Sequence, residues 1–301
     1  MKKILYKKSF FYLTIRKFKY WIYLLSTRNA LDVFLRGKDN ISLRPQVDGI
    51  HEEAVTKLIA ELSVNGYNDY FVDIGANIGL SSCQNGPSFS QVFCFEPNPL
   101  CLNILKTNLM IHLDENKYTI YEFALGKSDE KLDLYIPKNN WGGAFIKDKN
   151  CYSKQTLIDK DGFEEFDLKN YIIKEILVKN GREFLSAFFL NLLETNLIRG
   201  VIKIDVEGYE DNILKDVLKT LPSSLMPVII FENWNNQLNL SNIKEQYSNR
   251  KIKFKKIHRN TSRFNKNFFE YIKLLIVGEK YCLSDIDNDE SFSGDIVVLI
   301  E

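Results

Sequence analysis

The chain has 301 residues, 45% of them hydrophobic and 26% charged, the balance of a soluble globular protein with a real core and room for one large domain or two small ones. The formal charge of +1 is unevenly spread: residues 1–31 hold eight Lys or Arg and no acid, so the remainder is net acidic, which argues against a nucleic-acid-binding surface on the main body. Five cysteines (Cys83, Cys94, Cys101, Cys151, Cys282) without a C-x-x-C pair fit reduced thiols in a cytoplasmic protein rather than a disulfide framework or metal site.

The basic N-terminal arm is interleaved with aromatics: Phe10, Phe11, Tyr12, Phe18, Tyr20, Trp21 and Tyr23. Its uncharged runs, such as Tyr20 to Thr27, fall far short of the ~20 apolar residues of a membrane span. No small-residue cleavage site follows a long apolar core, so a signal peptide is not expected. Two expectations stand: an amphipathic helix packed on the body or used for dimer contacts, or an interfacial anchor over residues 1–30, with bases against anionic lipid and aromatics at headgroup level. No internal repeat or low-complexity linker follows. The chain reads as a helical extension, 1–47, and one domain, 48–301.

Ala54, Val55, Leu58, Ile59 and Leu62 recur at helical spacing and predict a helix over residues 51–62. Tyr70–Ile74 then reads as a buried strand entering the turn Gly75-Ala76-Asn77-Ile78-Gly79. The two glycines admit unusual φ values and let a bulky ligand lie against the backbone, and helix-start amides are expected to face it. The helix beginning at Gly79 is cut short near Cys83 by Gly86-Pro87. A second strand, Val92–Phe95, ends in Glu96, about 21 residues past Gly75, where a doubly wound sheet places a carboxylate for the two ribose hydroxyls of a nucleotide. A dinucleotide site wants Gly-x-Gly-x-x-Gly to hold pyrophosphate. Here Asn77 takes the middle glycine position and Asp73 precedes the turn. That acid repels pyrophosphate but suits S-adenosylmethionine, which carries a sulfonium and an ammonium and no phosphate.

Pro97 and Pro99 open a helix with Leu102, Leu105, Leu109 and Met110 as its apolar stripe. Tyr118–Ala124 is read as the third strand and Leu132–Ile136 as an added one. Residues 138–165 are polar and loop-rich, opening on Trp141-Gly142-Gly143, and such segments often form lids or substrate walls. The series continues with a strand over Glu175–Val178, a helix over Arg182–Leu193, a strand over Val201–Asp205 and a helix over Asp211–Leu221. A strand over Val228–Phe231 runs into Glu232-Asn233-Trp234. A helix over Ser241–Asn249 and strands over Phe254–Ile257 and Asp295–Ile300 complete it.

Four motifs, VDIGANIG (72–79), FEPNP (95–99), FALG (123–126) and KIDVEGYE (203–210), together resemble the FkbM-type methyltransferases in order and rough spacing, over about residues 50–235. The resemblance implies an α/β, class I (Rossmann-like) methyltransferase fold: a seven-stranded doubly wound sheet whose last strand is antiparallel. It also implies S-adenosylmethionine as cofactor and O-methylation of a hydroxyl on a sugar or polyketide-like product, the acceptor varying among members. On this reading Asp73, Gly75, Ala76, Asn77 and Gly79 serve the methionine end and turn, Glu96 takes the ribose, and Pro97 and Asn98 shape the pocket beside it. Ala124 and Leu125 line the adenine, where many class I enzymes carry Asp or Asn instead.

Methyl transfer to an alcohol needs alignment and removal of a proton. Asp205 and Glu207 qualify by position at a strand's carboxyl end. If the strand stays extended through them, their i, i+2 spacing puts both on one face. Alternatively they cap the next helix and bind the cofactor's ammonium. A divalent ion on Asp205, Glu207 and Glu232 or Asn233 suits oxygen ligands, but no familiar metal spacing is present and no metal is expected. His51, at a crevice rim, His112 and His258 are weaker general-base candidates. A sugar-bearing or other small-molecule acceptor is expected, with polysaccharide modification as the process and no nucleic-acid partner. The rival readings are a nicotinamide or nucleotide-sugar enzyme on the same sheet and a non-catalytic, membrane-associated scaffold that retains the fold.

Overall fold

A computed structural model describes residues 10–37, 43–146, 167–233, 240, 243, 247, 251–259, 281–286 and 292–300. In chain order, helices α1 (Phe10–Ser26), α2 (Leu43–Val47) and α3 (Glu53–Val64) precede strand β1 (Tyr70–Ile74). Then come α4 (Leu80–Asn85), β2 (Gln91–Phe95), α5 (Pro99–His112), β3 (Tyr118–Tyr121), β4 (Ala124–Gly126), β5 (Glu130–Pro137) and β6 (Phe145–Ile146). β7 (Tyr171–Asn180), α6 (Gly181–Glu194), β8 (Gly200–Ile204), α7 (Glu210–Thr220), β9 (Val228–Asn233), β10 (Ile252–Arg259), β11 (Tyr281–Asp285) and β12 (Gly294–Ile300) complete the described elements.

The main sheet has the order β11-β10-β12-β9-β8-β1-β2-β3. Its strands from β9 to β3 run parallel, and β12 lies antiparallel to both β9 and β10. The chain order reverses between β1 and β8, the switch point where open α/β sheets hold ligands. The sheet has eight strands, one more than the sequence reading expected. The extra one, β11, is an edge strand with the half-exposed alternation of Tyr281–Asp285, too polar to announce itself. The expected helix over Ser241–Asn249 and the cysteine at 151 lie largely or wholly outside the described residues.

Period-2 alternation sorts the sheet's two faces. Tyr70, Val72, Ile74, Phe93, Phe95, Ile202, Ile204, Ile229 and Phe231 join the core beneath α6 and α7. Phe71, Val92, Cys94, Val201, Val228, Ile230 and Val297 join the one beneath α3 and α5. Both faces are covered, which is why β1, β8 and β9 read as continuous apolar runs.

A second sheet, β4-β7-β5-β6, stands beside the first. The sequence reading merged Ala124 into the third strand. In fact β3 stops at Tyr121, whose carbonyl accepts from Glu96 N–H (3.1 Å). Ala124-Leu125-Gly126 instead pairs parallel with β7. Gly126 is there because a Cβ would sit 2.4 Å from Val178. The long β5–β7 hairpin pairs Glu130 through Pro137 with Tyr171 through Val178 and so places Trp141 and Gly142-Gly143 over the main sheet's carboxyl end.

Candidate active site

The same alternation that buries Phe71, Val201, Val228 and Val297 carries Asp73, Lys203, Glu232 and Asp295 onto that face, near the strand ends. Asp73 lies opposite Lys203 in register, and Glu232 opposite Asp295. Charges thus continue the apolar rows where β1, β8 and β9 terminate. Lys203 is buried, and its ammonium contacts Asp205 Oδ2 at 2.5 Å and Glu52 Oε2 at 3.3 Å. Glu52 reaches it from the start of α3, with a left-handed φ of 45°. Burial alone would lower the Lys203 pKa, but Asp205, Glu52 and Asp73 hold it well above the usual lysine value. Asp295 is raised to about 6, by burial first and by the Glu52 carboxylate second.

Asp73 is fully buried. Its Oδ2 accepts from Ser82 Oγ (2.6 Å), while its Oδ1 has no hydrogen-bond partner among the described residues. Burial pushes its pKa to about 6, against the lowering effects of Lys203 and Ser82. An unpartnered buried acceptor of this kind is costly unless a donor, best a cation, completes it.

The turn after β1 is built by close backbone approach. Gly75 has φ 91°, and a Cβ there would lie 1.9 Å from the Asp205 carbonyl, so β1 and β8 meet through this glycine. Gly79 (φ 87°) makes room for Leu105 and does not itself line the crevice; Asn77 adopts a left-handed φ of 52°. The amides of Gly75 and Ala76 both donate to Phe95 O (2.9 and 3.0 Å), and Asn77 N–H donates to Glu96 Oε2 (2.7 Å). These three amides lock the turn onto β2.

Glu96 accepts from Asn77 N–H on Oε2 and from Asn98 N–H on Oε1, each at 2.7 Å. A carboxylate offers about four lone-pair directions, so one on each oxygen is left, the complement of a vicinal diol. Burial raises its pKa to about 7, opposed by those two amides. Asn98 caps α5 by accepting from Leu100 N–H (3.0 Å) and donates to Trp141 O (3.1 Å). It lines neither cavity, so it supports the pocket from behind.

Two cavities adjoin at this end of the sheet. One, of about 250 Å³, is polar and reaches Asp73, Glu96, Lys203, Asp205, Glu207 and Glu232 under Asn140-Trp141. The other, of about 100 Å³, is apolar and is walled by Phe95, Phe123, Ala124, Leu125, Phe145 and Tyr209. Gly75, Pro97, Leu134, Ala144, Val206 and Glu207 border both. Asp73, Gly75, Ala76, Asn77, Glu96 and Pro97 meet at the first, and Ala124 and Leu125 at the second. β8 ends at Ile204, so Asp205 and Glu207 share no extended strand; the turn beyond the strand brings both to the first cavity.

His51 also lines the first cavity, 3.8 Å from Glu52. His112 lies 3.0 Å from Asn108 O within α5, and His258 sits on β10 beside Ser284; neither borders either cavity. Asn233 donates to Phe292 O (2.7 Å) and borders neither cavity. Among the described residues no cluster of His, Cys, Asp and Glu has metal-holding geometry.

Three features escaped the sequence reading. Lys203 and Glu52 become partners only when β8 meets α3. Asn140 was not singled out, yet its Oδ1, like Trp141 Nε1, is buried without a hydrogen-bond partner among the described residues. Arg36 lies over the Trp141 ring, 4.3 Å from its centroid, and donates to Lys138 O. The Trp141-Gly142-Gly143 run was the one signal available for this wall.

The polar cavity, the orphaned Asp73 acceptor, the Glu96 carboxylate and the apolar slot fit the ammonium, ribose and adenine of S-adenosylmethionine in turn. Comparison with known proteins agrees. The family model for the methyltransferase FkbM domain matches residues 73–245. The methyltransferase sdnD of Sordaria araneosa is 25% identical over 175 residues, 56% of this chain and 68% of that protein. Among solved structures, the precorrin 8W decarboxylase of Methanobacterium thermoautotrophicum is 11% identical with a TM-score of 0.40, covering 83% of this chain and 90% of that one. The precorrin-6y C5,15-methyltransferase of Geobacter metallireducens is 12% identical with a TM-score of 0.39, covering 89% and 95%. These two likenesses are weak ones of fold, and nothing about the site is drawn from them.

Proposed function

The chain belongs to the FkbM methyltransferase family, whose methyl donor is S-adenosylmethionine, and from that premise we propose that it O-methylates a sugar hydroxyl of a surface glycan or glycolipid. The observation that carries the reading is the polar cavity, where carboxylates, an amide and an indole meet. Sugars are bound by such groups: hydroxyls pair with carboxylates and amides, and the apolar ring face lies on an aromatic. Trp141 Nε1 and Asn140 Oδ1 offer a donor and an acceptor that no described residue satisfies.

When bound, S-adenosylmethionine supplies a methyl carbon already activated by its sulfonium. Glu96 would hold the ribose through one remaining lone pair on each oxygen, and Asp73 the ammonium through Oδ1. Phe123, Ala124 and Leu125 would wall the adenine and exclude water from it. Asp205 is clamped by Lys203 (2.5 Å), which favours its anion and weakens it as a base, so it orients the acceptor. Glu207, bordering both cavities, takes the acceptor's proton.

The reaction is assigned to the cytoplasm, at the inner face of a membrane. Cys83, Cys94, Cys101 and Cys282 form no disulfide among the described residues, which suits a reducing compartment. Among the described residues no helix is long and apolar enough to cross a bilayer.

Two measurements test the proposal. Glu207→Gln is expected to lower kcat by about 10²–10⁴-fold while leaving affinity for S-adenosylhomocysteine unchanged. Mass spectrometry of surface glycans with and without the gene should show one methyl group lost; an unchanged glycan profile overturns the acceptor class.

A further inference from the structure

Helix α1 stands off the body: every described side chain from Thr14 to Ser26 is exposed. At 100° per residue, Ile15, Phe18, Trp21, Ile22 and Leu25 fall on one side, each between 39% and 58% exposed. Arg16, Lys19, Tyr20 and Tyr23 take the other side and Lys17 a border. Phe18 and Trp21 stack with centroids 6.1 Å apart, and Arg16 Nε donates to Tyr20 OH (3.2 Å), so the two sides are internally ordered without a partner. Five large apolar side chains on one stripe would be an aggregation liability if left in water.

We propose that α1 lies in the surface of an anionic lipid bilayer, apolar stripe down and bases toward the headgroups. Charge selects this occupant over an arm-to-arm contact with a second copy. Residues 1–31 carry eight bases and no acid, so two copies of the arm repel, whereas an anionic leaflet attracts it. Among the described residues no helix is long and apolar enough to cross a bilayer, and Arg16, Lys17 and Lys19 interrupt α1. Trp21, at the edge of the stripe beside Lys17, is a side chain that favours the headgroup region.

The helix is fastened to the crevice wall. Beyond its end, Phe34 exchanges hydrogen bonds with Asn108 on α5 (2.6 and 3.2 Å), Leu35 packs in the cluster that includes Trp141, and Arg36 stacks on that indole. A bilayer holding α1 is thus linked through one short segment to the wall of the polar cavity. The inference goes beyond the acceptor assignment and stands or falls separately from it.

Co-sedimentation of the full chain with vesicles tests it, without turnover. Phosphatidylcholine vesicles containing about one part in three phosphatidylglycerol should retain it, phosphatidylcholine alone should not, and about 0.5 M salt should release it. Each base near such a surface contributes about a fivefold factor, so Arg16→Gln with Lys17→Gln and Lys19→Gln should weaken retention on the order of a hundredfold. Phe18→Ala with Trp21→Ala should weaken it while leaving every charge in place. Since α1 does not pack on the body, both variants should keep wild-type affinity for S-adenosylhomocysteine. No retention, equal retention on the two vesicles, or salt-insensitive retention overturns the proposal. So does self-association through α1 in light scattering without vesicle binding.

Discussion

The floor and the roof of the crevice are made on different terms. The floor, where β1, β2, β8 and β9 end, is dense and charged: Asp73, Glu96 and Lys203 are all buried, and Gly75 lets two backbones touch. The roof is made by the β5–β7 hairpin, Trp141-Gly142-Gly143 and residues 31–36, and its Trp141 is held by Arg36 stacking on the ring and one hydrogen bond from Asn98 to its carbonyl. On the proposed reading the difference is a division of labour: the floor holds the donor, and the roof meets the acceptor.

The hardest blow to the floor should be Lys203→Met, which strands Asp205 and Glu52 without their counter-ion. Because Glu52 and Asp205 are 32% and 35% exposed, the cost should fall below that of a fully buried pair, at about 1–3 kcal/mol, read by chemical denaturation. A loss below about 1 kcal/mol would mean that these carboxylates are solvated and the floor is no more rigid than the roof.

Next comes Glu96→Gln, expected to weaken S-adenosylhomocysteine binding roughly 10–100-fold by calorimetry, the worth of charge-assisted hydrogen bonds. The pH dependence sharpens this. Burial raises the folded-state pKa of Glu96 from 4.5 to about 7, so the stability tied to it is fully present below the lower value and lost as pH rises through the higher. Diol binding favours the anion, hence a proton leaves on binding and wild-type affinity should climb between about pH 5 and pH 8. In Glu96→Gln the part of that climb due to Glu96 should vanish.

The smallest effect belongs to the roof. Trp141→Ala should raise the acceptor KM about tenfold, the value of one stacking platform with an indole hydrogen bond, and change donor affinity by less than about twofold. Equal losses for donor and acceptor would erase the distinction between the two surfaces.

Legibility followed the same divide. β1 was readable to the residue because Tyr70–Ile74 is apolar on both faces up to Asp73, and Glu96 because its distance from Gly75 is fixed by one strand-helix-strand unit. Lys203 was visible only as a letter in a motif, since its meaning depends on Glu52, which another element supplies. The β3–β4 break was hidden because Tyr121, Phe123, Phe95 and Phe184 form one aromatic cluster across it, so hydrophobicity continues where hydrogen bonding changes sheets. Asn98 was legible as a pocket neighbour, but its grip on Trp141 O joins residues far apart in the chain.

The insertion of β12 between β9 and β10 sets an order of assembly. Among the described residues β10 and β11 join the main sheet only through β12, the strand that follows them in the chain, so they cannot dock before β12 is made. A nascent chain halted before Gly294 would expose the edge of β9, a template for mispairing, and would leave the hairpin of β10 and β11 without a seat.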